Sequence, residues 1–172
     1  MTYLALPRPS ANRVYGAAAP SLLGAELRFM AAALFGDLVA DDRVVRLGGV
    51  DYVELEVRGG DGHLGADELA VLSNASGLYA LFERRGDDHL RPVEVTPLRR
   101  HDDDVVTIQR YAGKTNEQFT HLLVNVTLAA AGDAFRRALD GGAVTLLDPL
   151  AGRGTTLNQA VLYGLDCWGV EA

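Results

Sequence analysis

Cysteine occurs once in this chain, at Cys167, so no disulfide can form within it. The thiol falls in an apolar stretch, where a small buried role is expected. Lysine also occurs once, at Lys114, and every other basic residue is arginine. That imbalance reads as a coding bias toward GC-rich codons, not as an arginine-specific surface. No apolar run reads as long enough to cross a bilayer, and the N-terminus lacks the basic-then-apolar layout of a signal peptide. A cytoplasmic protein with no membrane partner is the default expectation. An excess of positive charge is missing too: the formal net charge is −7. Bulk electrostatics therefore advertises no nucleic acid, although a local patch stays open. No Pro-Pro pair occurs anywhere. What is plentiful is apolar material, 48% of 172 residues, enough for one sizeable core or two small ones.

Residues 2–6 read as a strand that ends in the turn Pro7-Arg8-Pro9-Ser10. Residues 13–15 continue it or pair with it. Pro20 and Ser21 look like a helix entry. Leu22, Leu23, Leu27, Met30, Ala31 and Leu34 then recur at helical spacing, with Gly36-Asp37 as the stop. Two apolar runs, residues 44–47 and 50–57, flank Gly48-Gly49 and predict a hairpin. Next come a polar loop over 59–65, a short helix over 67–75, and strands over 78–82 and 90–95. The order strand, helix, strand, strand, helix, strand is the split βαβ, ferredoxin-like arrangement, expected over residues 1–97. His63 and His89 read as surface residues.

Residues 98–110 read as a linker, with Val105 to Arg110 as an extended entry to the C-terminal segment. His101-Asp102-Asp103-Asp104 is a poor metal site, since consecutive polar residues in an extended segment cannot all turn inward. Beyond it, Thr115 and Gln118 fit a capping box. Phe119, Leu122, Leu123, Val126 and Ala130 fall on one helical face.

The most informative stretch is Leu147-Asp148-Pro149-Leu150-Ala151-Gly152-Arg153-Gly154-Thr155-Thr156. An apolar run, a glycine turn and a helical pattern form the grammar of strand, tight loop and helix N-terminus. Glycine admits positive φ and close approach of a ligand to backbone, and a helix start favours an anionic or strongly polar ligand. Cys167-Trp168-Gly169-Val170 reads as a second strand, ending in Glu171, 171 − 148 = 23 positions after Asp148. A Rossmann-like unit places an acid for ribose hydroxyls at about that distance. A Walker loop would need Gly-Lys-Ser/Thr, and no lysine lies nearby. A dinucleotide fingerprint would need glycine where Leu157 stands. A plain structural turn stays open, as does a loop for nucleotide phosphate.

The whole string resembles the first motif of S-adenosylmethionine (SAM) dependent methyltransferases, in the Asp-Pro-x-Cys-Gly-x-Gly-Thr form of RNA and DNA amino-methyltransferases. Ala151 stands in place of the usual cysteine and keeps a small side chain. The segment 111–120 resembles the capped helix that precedes this motif, most closely in relatives of the tRNA guanosine N2-methyltransferases. The resemblance implies a Rossmann-like domain beginning at residue 111. It implies SAM as cofactor, held by Thr115, Asp148, Pro149, Gly152, Gly154, Thr155 and Glu171. Thr115 would meet the carboxylate of SAM, Asp148 its amino group and Glu171 its ribose. The implied substrate is an exocyclic amine of a base in RNA, tRNA-like, or in DNA, with residues 1–97 as an accessory, substrate-recognising domain.

The family's catalytic Asn/Asp-Pro-Pro-aromatic loop has no counterpart here. No catalytic residue and no metal ligand are therefore assigned. Residues 111–172 would supply only the N-terminal part of the SAM-binding domain, and the chain alone is expected to be inactive. An incomplete sheet is expected to self-associate. The alternative is a binding module for RNA or protein, carrying a vestigial or donated half of such a domain.

Overall fold

The computed structural model describes residues 1–10, 13–58, 62–86, 89–102 and 115–171. The expected strand over 105–110, residues 111–114 and most of the expected linker lie outside these residues. The chain falls into two compact units, Met1–Pro97 and Leu98–Ala172.

The first unit is an α+β structure. Strand β1 (Thr2–Pro7) leads to helix α1 (Arg13–Phe35), then β2 (Val39–Leu47) and β3 (Val50–Val57). Helix α2 (Ala66–Leu72), β4 (Leu78–Arg85) and β5 (His89–Val93) complete it. All pairings are antiparallel, in the order β2-β3-β1-β4-β5. The hairpin between β2 and β3 turns on Gly48 and Gly49, at φ +56° and +85°. Successive positive φ angles match the right-handed twist of the flanking strands, and only glycine adopts them without strain.

Register places Tyr3, Ala5, Val53, Leu55 and Leu81 on one face of the sheet, buried beside Leu23, Leu27, Met30 and Ala31 of α1. Helix α1 starts at Arg13, earlier than the sequence suggests, and runs through Pro20. Residues 13–15 are therefore helical and not strand. Proline marks a helix entry only when the preceding residues have no other reason to be helical. Here Tyr15 and Ala19 are buried a turn apart and hold the extra turns in place. The segment Val14–Phe35 spans 22 residues and contains a stretch of mean hydropathy 1.3, a length and composition that also suit a membrane span. That corrects the reading that no run is long enough. In this fold the apolar face of the helix lies on the sheet.

Charged groups are paired within the sheet. Glu54 accepts hydrogen bonds from Arg43, directly opposite on β2, and from Arg84 on β4 at 2.7 Å. Glu83 is fully buried and meets Arg85 and Arg91. Burial alone would push its carboxyl up, but the hydrogen bonds and charges of both arginines hold it below the ordinary carboxylate range.

A third buried carboxylate, Glu26, sits mid-helix in α1 at 2% exposure. It accepts the Ser76 N–H at 3.0 Å and the Ser76 hydroxyl at 2.6 Å. This ties α1 to the turn between α2 and β4. Burial pushes the nearby Tyr15 hydroxyl up, a hydrogen bond with Ser76 opposes that, and the charge of Glu26 adds to it. No strand or helix periodicity announces such a group, since it stands on the apolar face.

The second unit contains α3 (Glu117–Ala130), α4 (Ala134–Leu139), β6 (Thr145–Asp148), α5 (Thr155–Leu162) and β7 (Asp166–Gly169). Strands β6 and β7 are parallel, pairing Leu146 with Cys167 and Leu147 with Trp168. Helix α5 packs on both strands, and α3 packs on α5. Helix α3 is capped by Asn116, whose Oδ1 accepts the Phe119 N–H at 3.0 Å, so the expected Thr115–Gln118 box does not form. Its buried face is Thr120, Val124, Asn125, Leu128 and Ala129; Phe119, Leu123 and Ala130 of the expected face are exposed.

Replacing Glu26 by Ala leaves two buried donors of Ser76 without an acceptor. Urea unfolding should show a loss of ~1–3 kcal/mol. A change within ~0.5 kcal/mol, the range of a neutral surface substitution, would show that the bridge is dispensable.

Candidate functional site

Every polar feature of the site grows from the end of the β6–β7 ladder. Pairing stops at Asp148 and Gly169. From there the Val170 N–H bonds the Asp148 carbonyl at 2.9 Å, and the Ala151 N–H bonds the Val170 carbonyl at 2.9 Å. The loop after β6 is thus laced to the segment after β7. The half-buried Asp148 turns its Oδ1 onto the Leu150 N–H at 3.0 Å, which starts the turn. Pro149 is exposed at its crest.

Gly152 and Gly154 both lie in the left-handed region, at φ +51° and +79°. Gly154 is also the N-cap of α5, with no side chain capping the helix. Around Gly152 the space where a Cβ would stand is open. The Gly152 N–H points to Glu171 and donates to its Oε2 at 2.6 Å. The structure thus brings Asp148, Gly152, Gly154 and Glu171 to one loop. Thr155 is buried at the start of α5. Thr115 is exposed beside the cap of α3, and no hydrogen bond joins it to the loop among the described residues.

Three groups here were not singled out from sequence. Gly169 has an ordinary φ, yet a Cβ on it would stand 2.7 Å from Leu157 Cδ1 and 2.8 Å from Ala151 Cβ. It lets β7 close onto the loop, and a glycine inside an apolar strand pattern is the only sign of it. Between α3 and α5 a buried polar chain runs from the His121 ring to the Tyr163 hydroxyl, which donates to Asn125 Oδ1 at 2.7 Å. Gln159 is buried on α5, and its amide nitrogen has no partner among the described residues. Arg100, read from sequence as linker, gives its N–H to the Leu162 carbonyl at 2.9 Å and belongs to this unit.

One face of the β6–β7 pair is covered: Val144, Leu146, Ala160 and Leu162 are buried. The other face is bare. Leu147 and Trp168, paired across the ladder, are 64% and 70% exposed, with Leu150 and Val170 exposed beside them.

Two carboxylates flanking a glycine loop form an acceptor-rich, negatively charged mouth. Such a set suits a ligand with a cationic or ammonium centre and hydroxyl donors. It suits a polyphosphate poorly, because Asp148 and Glu171 would repel it.

Gly169→Val should force Leu157 and Ala151 apart and cost ~1–3 kcal/mol by overpacking. Amide exchange at β6 should rise with it. Gly169→Ala paired with Leu157→Ala should raise exchange less than Gly169→Val, because only the 2.8 Å contact with Ala151 Cβ remains, and an equal rise would place the constraint elsewhere.

No protein-family model, no curated protein and no solved structure matches this chain.

Proposed function

We propose that this chain carries the cofactor-binding start of a SAM-dependent methyltransferase acting on an exocyclic amine of a base in RNA, tRNA-like. The observation that supports this most is the loop between β6 and α5. It holds two left-handed glycines, Asp148 before them and Glu171 beside them. In this reading the second unit is the beginning of a Rossmann-like domain. The first unit is ferredoxin-like, its βαββαβ order and β2-β3-β1-β4 pairing extended by β5. It serves as accessory domain for substrate, in a cytoplasmic enzyme with no membrane partner.

When bound, SAM supplies an electrophilic methyl group on a sulfonium centre. The chain's own residues do the holding. Asp148 would offer carboxylate oxygen to an ammonium group, a charge-assisted hydrogen bond. The open space at Gly152 admits the ligand against backbone. Glu171 offers its oxygens to a vicinal diol, a charge-assisted interaction. Thr115 is assigned no contact within this geometry. Transfer itself needs alignment more than covalent catalysis. No residue of this chain is given a catalytic role, and methyl transfer by this chain alone is not expected.

The test is a titration of the 172-residue chain with SAM and separately with ATP, monitored at the amide resonances of Gly152 and Gly154. SAM should shift both, with weak affinity of about 1 mM. Glu171→Ala should cost ~1.5–3 kcal/mol of that binding. Preference for ATP would replace this reading with a phosphate-binding one, and an unchanged affinity in Glu171→Ala would remove that residue from the site.

A second reading, a non-catalytic binding module for RNA or protein, draws on the bare Leu147–Trp168 face. Under the first reading that exposed apolar face favours self-association. Light scattering should show mass rising with concentration, and Trp168→Glu should suppress the rise. A concentration-independent monomer would count against an incomplete sheet.

A further inference from the structure

In the first unit, a cavity of about 450 Å³ lies where β1 hands over to α1. That volume is in the range of small-molecule sites. Its wall is largely apolar, with Leu6, Ala19, Pro20, Val50 and the ring of Tyr79. Arg8 lines it as well, and Arg8 is unlike the arginines of the sheet. Arg43 and Arg84 are held by Glu54, and Arg85 and Arg91 by Glu83. The side chain of Arg8 has no hydrogen bond and no ion pair among the described residues, and its Nε is buried without an acceptor. A buried, unanswered donor on a charged group is costly, and apolar surroundings raise that cost.

The backbone under Arg8 is fixed. Its N–H donates to the Gly77 carbonyl at 2.6 Å. Pro7 and Pro9 lock φ on both sides, and a residue before proline is confined to extended conformations. The guanidinium is therefore presented by a rigid segment, which lowers the ordering cost of binding. One carboxylate, Asp51, also lines the cavity, and its Oδ1 lies 3.8 Å from the Arg46 Nε. No ion pair joins Asp51 to Arg8 among the described residues, so the Asp51 carboxylate does not occupy the guanidinium. It also sets a negative wall that disfavours a second acid group on a ligand.

We infer that this cavity is a binding site for a small organic anion: one carboxylate or phosphate-monoester group against Arg8, on an apolar ring or branched chain that fills the remainder. A guanidinium fork matches either acid group through paired N–H donors. Tyr79, 61% exposed, lines the cavity and supplies aromatic surface for the ligand body. The site owes nothing to the methyl-transfer reading and lies wholly within the first unit.

The ¹⁵N-labelled 172-residue chain is titrated with phenylacetate, phenyl phosphate, benzyl alcohol and inorganic phosphate. The Nε–Hε resonance of Arg8 is the readout. Phenylacetate or phenyl phosphate should shift it, with benzyl alcohol and inorganic phosphate at least about tenfold weaker. Arg8→Gln should weaken the better probe by about tenfold to a hundredfold. Gly16→Leu fills the cavity wall without touching the charge; among the described residues, the atoms within 4 Å of a Cβ there belong to Ser10, the nearest at 3.6 Å. It should abolish binding while the chain stays folded. The inference is overturned by any of three results. One is no shift of Arg8 with either acid. Another is inorganic phosphate binding as well as phenyl phosphate, which would mark an ordinary surface charge. The last is undiminished binding in folded Gly16→Leu.

Discussion

A parallel pair of four-residue strands cannot persist on its own hydrogen bonds. What holds β6 beside β7 is one-sided burial. Leu146 and Val144 lie beneath a helical layer made by α5 and backed by α3. The site depends on that layer. Only while the two strands stay in register does the segment carrying Glu171 lie alongside the loop carrying Gly152. The polar chain from His121 through Tyr163 to Asn125 belongs to the same constraint, because it fixes α3 on α5 at a point where apolar packing alone would allow sliding. In the first unit the comparable constraint is β1, which has a hydrogen-bonded neighbour on each side and lends its register to both.

The parts legible in the sequence are those with a strong local code. Gly48-Gly49 between alternating runs gives a hairpin because two successive positive φ angles leave few other options. The face of α1 with Leu23, Leu27 and Met30 comes from spacing. The strand, glycine loop and helix at 145–162 come from the change of period at Gly152 and Gly154. The failures have one physical origin, tertiary context. The periodicity of α3 fits two overlapping faces, and the choice between them is made by α5, whose C-terminal end presents Tyr163 to Asn125 and His121. Asn116 wins the cap over Thr115 because the helix begins one residue later than the box requires. Glu26 and Gly169 are silent for a related reason, since their importance lies in Ser76 and in Leu157 and Ala151, far away along the chain.

The arrangement of charge gives the acidic composition a structural sense. Arg43, Arg84, Arg85 and Arg91 reach in from the surface to pair with Glu54 and Glu83, so their charges are partly cancelled and add less to the field outside. A count of basic residues therefore overstates the positive surface. The pairing also explains how carboxylates come to be buried in the first unit. Each is answered by at least one donor in contact: Arg43 and Arg84, Arg85 and Arg91, or the hydroxyl and amide of Ser76.

The bond from the Gly152 N–H to Glu171 makes the loop its own competitor. Glu171 lies nineteen positions from Gly152 but is held beside that N–H by the pairing of β6 with β7, so it competes within the molecule against any free acceptor. A weak acceptor that wants the same N–H is excluded without any steric barrier. A ligand that engages the carboxylate instead frees the N–H in the same motion. Entry is then an exchange of partners and not a simple addition. On the proposed reading, the loop would favour molecules that satisfy both halves of the pair over those that satisfy one.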